Sequence, residues 1–339
     1  MSITISEIAR LTGVSTATVS RVLNDSTLVK PKTKHKVLRA LKEHDYVYNA
    51  VAGGLTKRRT STIGLIIPTI TNPVFSLSTK GIHEAARERG YSMLLGSTDY
   101  SYDKEFELIK LFHEKRVDGI IFTGAPGNSK SLEFMKRLRI PYLITFELVQ
   151  DDNVSFVSFD NIKSGKMTTD YLISLGHRRI AMISGLFNET SRAYNRWLGY
   201  RQSLVNHGIT YDESLVMQRE YTTAAGKQAM EKLLRNTPPP TAVFCGNDII
   251  ASGAIAAVKE AGYQVGKDIS IAGFDDLEMC EAIEPALTSI RIPGYEMGSQ
   301  GAQALIDIIE GKLEAPCHCV LDSELIKRKS TGPAPECRN

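Results

Sequence analysis

Cysteine is scarce in this 339-residue chain: Cys245, Cys280, Cys317, Cys319 and Cys337 are five in all, odd in number and without a repeating spacing. That pattern excludes a disulfide framework and suits a reducing compartment. No apolar run reaches the roughly 18 residues of a membrane span. Met1 to Arg10 lacks the basic-then-apolar order of an export leader, so the cytoplasm is the expected location, with no membrane partner. Signatures of catalysis are missing too: no GxGxxG follows the first apolar run, and there is no P-loop and no GxSxG. The single Cys/His cluster, Cys317-His318-Cys319, is too tight for a zinc knuckle and has no second ligand pair after it. The expectation is therefore no enzyme, no metal and no cofactor.

What is present is unevenly distributed. Residues 1–60 hold eleven Lys/Arg against Glu7, Asp25, Glu43 and Asp45, a net charge of +7. Subtracted from 41 basic and 38 acidic residues in the whole chain, this leaves 30 and 34 for the remainder. A basic head thus sits on a mildly acidic body. A basic segment suits a polyanion, because each neutralised phosphate releases condensed counterions, although a solvated face would carry the same charges.

Within the head, Thr4-Ile5-Ser6-Glu7 reads as a capping box that starts a helix. The helix runs through Ile8, Ala9 and Leu11 to Gly13, whose freedom at positive φ suits a sharp exit. Ser15 caps a second helix from Thr16 to about Asn24, with Val19, Val22 and Leu23 on one side. A third begins near Pro31 and is predicted to carry Val37, Leu38 and Leu41 inward. Small Ala9, turning Gly13 and the valines beneath form a helix-turn-helix set. The outward residues of the second helix, Ser15, Thr16, Ala17, Thr18, Ser20 and Arg21, are short polar groups plus one long donor. Such a face fits a major groove, where Arg21 would bond a guanine edge and Thr16 and Ala17 would touch bases. A three-helix bundle with an ordinary polar surface is the alternative.

From Ile63 onward, short apolar runs (IGLII, YSMLLG, GIIF, PYLIT, SFVSF, RIAMIS, AVFCG, ISIAGF) alternate with helix-length amphipathic stretches, the pattern of parallel α/β units. Residues 61–160 supply one set and 162–290 another, which predicts two similar lobes with a cleft between. Ligands of open parallel sheets sit beyond the carboxyl ends of strands. That rule selects Thr69–Phe75, Thr123–Gly124, Phe146–Glu147, Asp160, Asn247 and Asp275. Asp160, Asn247 and Asp275 suit hydroxyls, and Arg196 offers a planar fork.

The stretch ISEIARLTGVSTATVSRVLND resembles the amino terminus of the LacI/GalR family of bacterial repressors. The similarity continues through DYVYNAVAGGLTKRRTSTIGLIIP, NPVF, KRVDGIIF, SFDN, LGHRRIAMISG, RWLGY, AVFCGND and ISIAGFDD, nearly the whole chain. It implies a three-helix helix-turn-helix headpiece (1–45), a hinge (46–60), a two-lobed periplasmic-binding-protein-like body of parallel sheets flanked by helices (61–330) and a tail (331–339). It implies an effector-controlled transcription regulator, a homodimeric repressor on palindromic operator DNA. Base contact is implied for Thr16, Ala17 and Arg21, and phosphate contact for Thr4, Ser15, Ser20, Asn24, Thr33, Tyr46 and Asn49. Ala52 would let twin hinge helices pack, and Leu55 would wedge into the minor groove. His177 in LGHRR takes a structural role, and residues after Arg291 cross back to the first lobe.

The hinge departs from the family pattern twice: Tyr48 stands where proline is common, and Gly53-Gly54 occupies the middle of the helix. Each glycine costs roughly 0.8–1 kcal/mol against alanine there. For the effector, a small polar molecule, contact is implied at Arg196, Asn247 and Asp275. Phe75, Thr123, Glu147 and Asp160 complete the candidate set, with Arg192 weighed against a surface role. Asp275 has an alternative as the cap of the helix at Leu277, and Phe75 as core packing. The segments PTITNPVF, SFDNIKSGKMTTD and PGYEMGSQGA are nearer the gluconate-repressor branch than the purine or lactose branches, which points to a sugar acid, with a neutral sugar as the alternative. A stand-alone binding protein without DNA function is the rival reading, and the headpiece argues against it.

Overall fold

A computed structural model describes residues 3–24, 29–46, 59–127 and 129–335. The expectations for Asn49, Ala52, Leu55 and Gly53-Gly54, and for the side chain of Asn24, lie outside the described residues. The chain divides into two compact units, residues 1–61 and 62–339.

The first unit holds α1 (Ile5–Thr12), α2 (Thr16–Asn24) and α3 (Pro31–Glu43). Thr4 and Glu7 form the capping box in both directions, and Gly13 ends α1 at φ 61°. Ser15 Oγ accepts from the Thr18 amide at 3.1 Å, which caps α2. Ile8, Ala9, Val19, Val22, Val37, Ala40 and Leu41 make the core. Leu38 is a correction: it is 42 % exposed, and Ala40 takes the inward place. A β-carbon at Gly13 would force a left-handed conformation that costs an L-residue about 1–2 kcal/mol. Gly13→Val should therefore lower the melting temperature of the headpiece transition, and an unchanged melt would show that the turn does not depend on that conformation.

The second unit contains two sheets. The first includes β1 (Thr62–Ile67), β2 (Ser92–Ser97), β3 (Gly119–Thr123), β4 (Tyr142–Thr145), β5 (Ser155–Phe159) and β11 (His318–Leu321), ordered β11-β5-β4-β3-β1-β2 and parallel throughout. The second comprises β6 (Ile180–Ser184), β7 (Val216–Gln218), β8 (Ala242–Cys245), β9 (Ser270–Asp275), β10 (Thr288–Arg291) and β12 (Glu324–Ile326). Its order is β12-β10-β9-β8-β6-β7, with only β12 antiparallel. Strands β3, β5, β6, β8 and β9 are buried along their whole length, as sheets covered on both faces require.

Helices α4 (Val74–Glu88), α5 (Tyr102–Glu114) and α6 (Ser129–Leu138) flank the first sheet. Helices α7 (Asn161–Ser174), α8 (Ser191–Asn206), α9 (Thr223–Leu234), α10 (Asp248–Glu260) and short α11 (Met279–Ala282) belong to the second lobe. After β10 the chain crosses back, and α12 (Gly294–Glu310) packs on α4 and on β3, β4 and β5. The lobes are thus joined by three segments: between β5 and α7, between β10 and α12, and between β11 and β12. Residues 331–334, read as tail, are bound into the second lobe: the Ala334 amide donates to the Leu175 carbonyl, and the Gly332 carbonyl faces His177 Nε2 at 3.0 Å. Buried His177 also meets Thr241 and Ser270 hydroxyls, so its ring ties structure together.

Candidate effector cleft and DNA-reading face

The strand ends of the two lobes face each other. Arg196 on α8 is the most constrained side chain between them: Nε donates to Asn161 Oδ1 at 2.9 Å and Nη1 to the Gly246 carbonyl at 2.5 Å. Its guanidinium carbon lies 3.7 Å from the Phe274 ring centroid, and Nη2 approaches Asp275 Oδ1 at 3.9 Å. Burial acts against its charge, and Asp275 acts for it.

Asn247 caps α10, its Oδ1 accepting from the Ile250 amide at 2.9 Å, while its Nδ2 is buried without a hydrogen-bond partner. Asp275 Oδ1 is likewise buried without one. Burial pushes the Asp275 carboxyl up to about 8, against the pull of Arg196. The cap of the segment at Leu277 is not Asp275 but Asp248, whose Oδ2 accepts from the Leu277 amide at 2.8 Å and whose Oδ1 accepts from Ser289 Oγ at 2.6 Å. The backbone is strained here: Tyr100, Phe146, Asp275 and Asp276 have φ of 61°, 67°, 108° and 54°. Such conformations persist only where the surroundings over-determine them, and they cluster at ligand sites.

The structure brings together Phe75, Thr123, Glu147, Arg196, Asn247 and Asp275 along one cleft, in two compartments. An outer chamber of about 420 Å³ is lined by Thr123, Glu147, Glu105, Tyr100 and Arg192 among others. An inner compartment of about 20 Å³ is lined by Phe75, Arg192, Arg196, Tyr221, Asn247 and Asp275 among others, room for about one water. Asp160 goes elsewhere: its Oδ1 caps α7 by accepting from the Ile162 and Lys163 amides, and it lines neither compartment. Its neighbour Asn161 holds Arg196 instead.

Arg192, weighed against a surface role, is 7 % exposed. It donates from Nη1 to the Thr123 carbonyl of the other lobe at 3.3 Å and lies over Phe75 and Phe146 at 5.5 and 5.9 Å. Tyr100 and Tyr221 were not selected from the sequence. Tyr100 follows the end of β2 and was open to the strand-end rule, whereas Tyr221 follows β7, three residues long.

On the headpiece, Ser15, Thr16, Ala17 and Arg21 are exposed along one side of α2, and Ser20 is half-buried. Thr4 is committed to the α1 cap, Thr33 is half-buried, and Tyr46 packs against the headpiece core.

A helix-turn-helix unit followed by a two-lobed body with a polar cleft defines a DNA-binding transcription regulator of the ligand-responsive kind. Residues 4–49 match the family described as bacterial regulatory proteins, lacI family, and residues 169–331 match the periplasmic binding protein-like domain. The transcriptional regulator DegA of Bacillus subtilis is 36 % identical over 337 residues, covering 98 % of this chain and 99 % of DegA. Catabolite control protein A of Priestia megaterium is 34 % identical over 305 residues, 90 % and 92 % of the two chains. The lac repressor dimer bound to operator and the anti-inducer ONPF superposes with TM-score 0.89 at 26 % identity over 98 % of this chain and all of that one. A complex of the regulator CelR with cellobiose gives 0.74 at 33 % identity over 97 % and 99 %. The chain belongs to the LacI family of bacterial regulatory proteins. No helix among the described residues is long and apolar enough to cross a membrane.

Proposed function

We propose that the chain acts as a homodimeric repressor of carbohydrate-utilisation genes, in which two headpieces read a palindromic operator and a small polar effector, a sugar or sugar acid, sets operator affinity from the cleft. The observation that carries the effector half is the inner compartment, where Asn247 Nδ2 and Asp275 Oδ1 are buried without partners beside Arg196. Buried polar groups left unpaired cost free energy that a polar ligand recovers. The DNA half rests on the exposed face of α2 and the basic excess of the head. Two related headpieces on a dyad match an inverted repeat. The relatives support both halves, through a dimer on its operator and a regulator holding a disaccharide.

Selecting binding sites from random DNA with the full chain should return an inverted repeat; an asymmetric single half-site would refute the dimeric reading. On the selected operator Arg21→Ala should cost about 1–3 kcal/mol, the worth of a bidentate base contact, and much less on random DNA. Equal losses on both at one salt concentration would reduce Arg21 to a phosphate contact.

A further inference from the structure

Two buried guanidinium groups share the inner compartment, and neither is hydrogen-bonded to a carboxylate. Arg192 donates from Nε to Thr190 Oγ1 at 3.2 Å and from Nη1 to the Thr123 carbonyl at 3.3 Å, both neutral acceptors. No ion pair to Arg192 is found among the described residues. Arg196 spends Nε and Nη1 on neutral acceptors as well, and its Nη2 stands 3.9 Å from Asp275, beyond hydrogen-bond reach. Asn247 adds a buried N–H without an acceptor. The outer chamber has the opposite character: Glu105, Glu147 and Glu189 line it and offer acceptor oxygens.

We propose that the effector is a polyhydroxy monocarboxylate bound acid-first, with its carboxylate between Arg192 and Arg196 and its hydroxyls donating to Glu147 and Glu105 in the outer chamber. This rests on the cleft being the effector site and adds the ligand's charge and direction. A carboxylate is an acceptor-only group, and a guanidinium fork meets it with two parallel bonds. A neutral polyol leaves Arg192 without an ion pair and Arg196 with only the 3.9 Å approach of Asp275. A diacid sets its second carboxylate against Glu147, where like charges repel. Burial pushes the Asp275 carboxyl up and so favours its protonated form, in which it too can donate.

The inner compartment of about 20 Å³ does not hold a carboxylate as it stands. The head group enters by replacing the Thr123 carbonyl as the acceptor of Arg192. That bond runs from the second lobe to the first, so its loss changes how the lobes are held.

Calorimetry on the full chain with matched six-carbon series decides the matter. D-gluconate, D-glucarate and D-glucitol carry one, two and no carboxylates, as do D-galactonate, galactarate and galactitol. In at least one series the monoacid should bind tenfold or more tighter than both companions. Arg192→Gln should remove that preference and Arg192→Lys should retain part of it, while Glu147→Gln should admit the diacid. Where a variant does not fold, the ranking on the unaltered protein still decides. A diacid or polyol binding as tightly as the monoacid overturns the proposal and leaves the cleft as effector site. No binding in either series, alongside a neutral sugar such as cellobiose that binds and shifts operator affinity, overturns it in the same way. Failure of all these compounds to bind overturns both.

Discussion

Arg196→Ala should destabilise the body by about 3–5 kcal/mol and abolish any effector response. The side chain is only 6 % exposed, and its removal leaves two buried acceptors and a ring face without their partner, which together account for a loss of that size. Asn161 Oδ1 and the Gly246 carbonyl lose their donor, and the Phe274 ring loses the cation above it. Arg196→Lys should recover little, because a point charge on a flexible stem cannot reach both acceptors and lie flat on the ring. Denaturant unfolding of the full chain, followed through the transition of the body, measures the cost. A loss below about 1 kcal/mol would mean the guanidinium is not the hub of the cleft.

How far the sequence reached can be judged from particular residues. The buried strands were legible because a sheet covered on both faces needs continuous apolar runs, and IGLII or AVFCG can be little else. Strands β7 and β12, at three residues each, leave no such run, and β10 (TSIR) and β11 (HCVL) break theirs with polar residues. Leu38 shows the limit of helical periodicity: it lies about 100° on from Val37, just past an arc that ends with Ala40 and Leu41.

In the cleft, the strand-end rule gives a position but not a rotamer. It selected Asp160, whose carboxylate turns back to cap its own helix, while Asn161 reaches the site. Asp275 was weighed as a cap, but Asp248, from a different helix, takes that role. Arg192 was open to a surface reading because the rings that bury it, Phe75 and Phe146, come from the other lobe, far away in sequence. Residues that work across the cleft are the ones a local pattern cannot show.

Asp275→Asn should flatten the dependence of body stability on pH. The ordinary value for this carboxyl is 3.8, and burial pushes it up to about 8 in the folded chain, while Arg196 and Arg192 pull it down and Asp248 pushes it further up. Between those values the folded chain holds a proton that the unfolded chain has released. Stability from this group is therefore fully present below 3.8 and declines through the interval, until it is lost above about 8. The slope is up to about 1.4 kcal/mol per pH unit for one fully differential proton. Asparagine is nearly the same shape and neutral at every pH, so it removes this contribution without opening a cavity. Asp248, raised to about 6 by burial, and buried His177, lowered by it, also titrate, so the variant retains some pH dependence. The difference between the two proteins isolates Asp275. Unfolding free energies taken from pH 5 to pH 8 should show Asp275→Asn gaining on the unaltered chain with each step, by more than 2 kcal/mol in total. Parallel curves would mean that the carboxylate is ionised throughout and paired with Arg196, and that the free oxygen in the cleft carries a full negative charge.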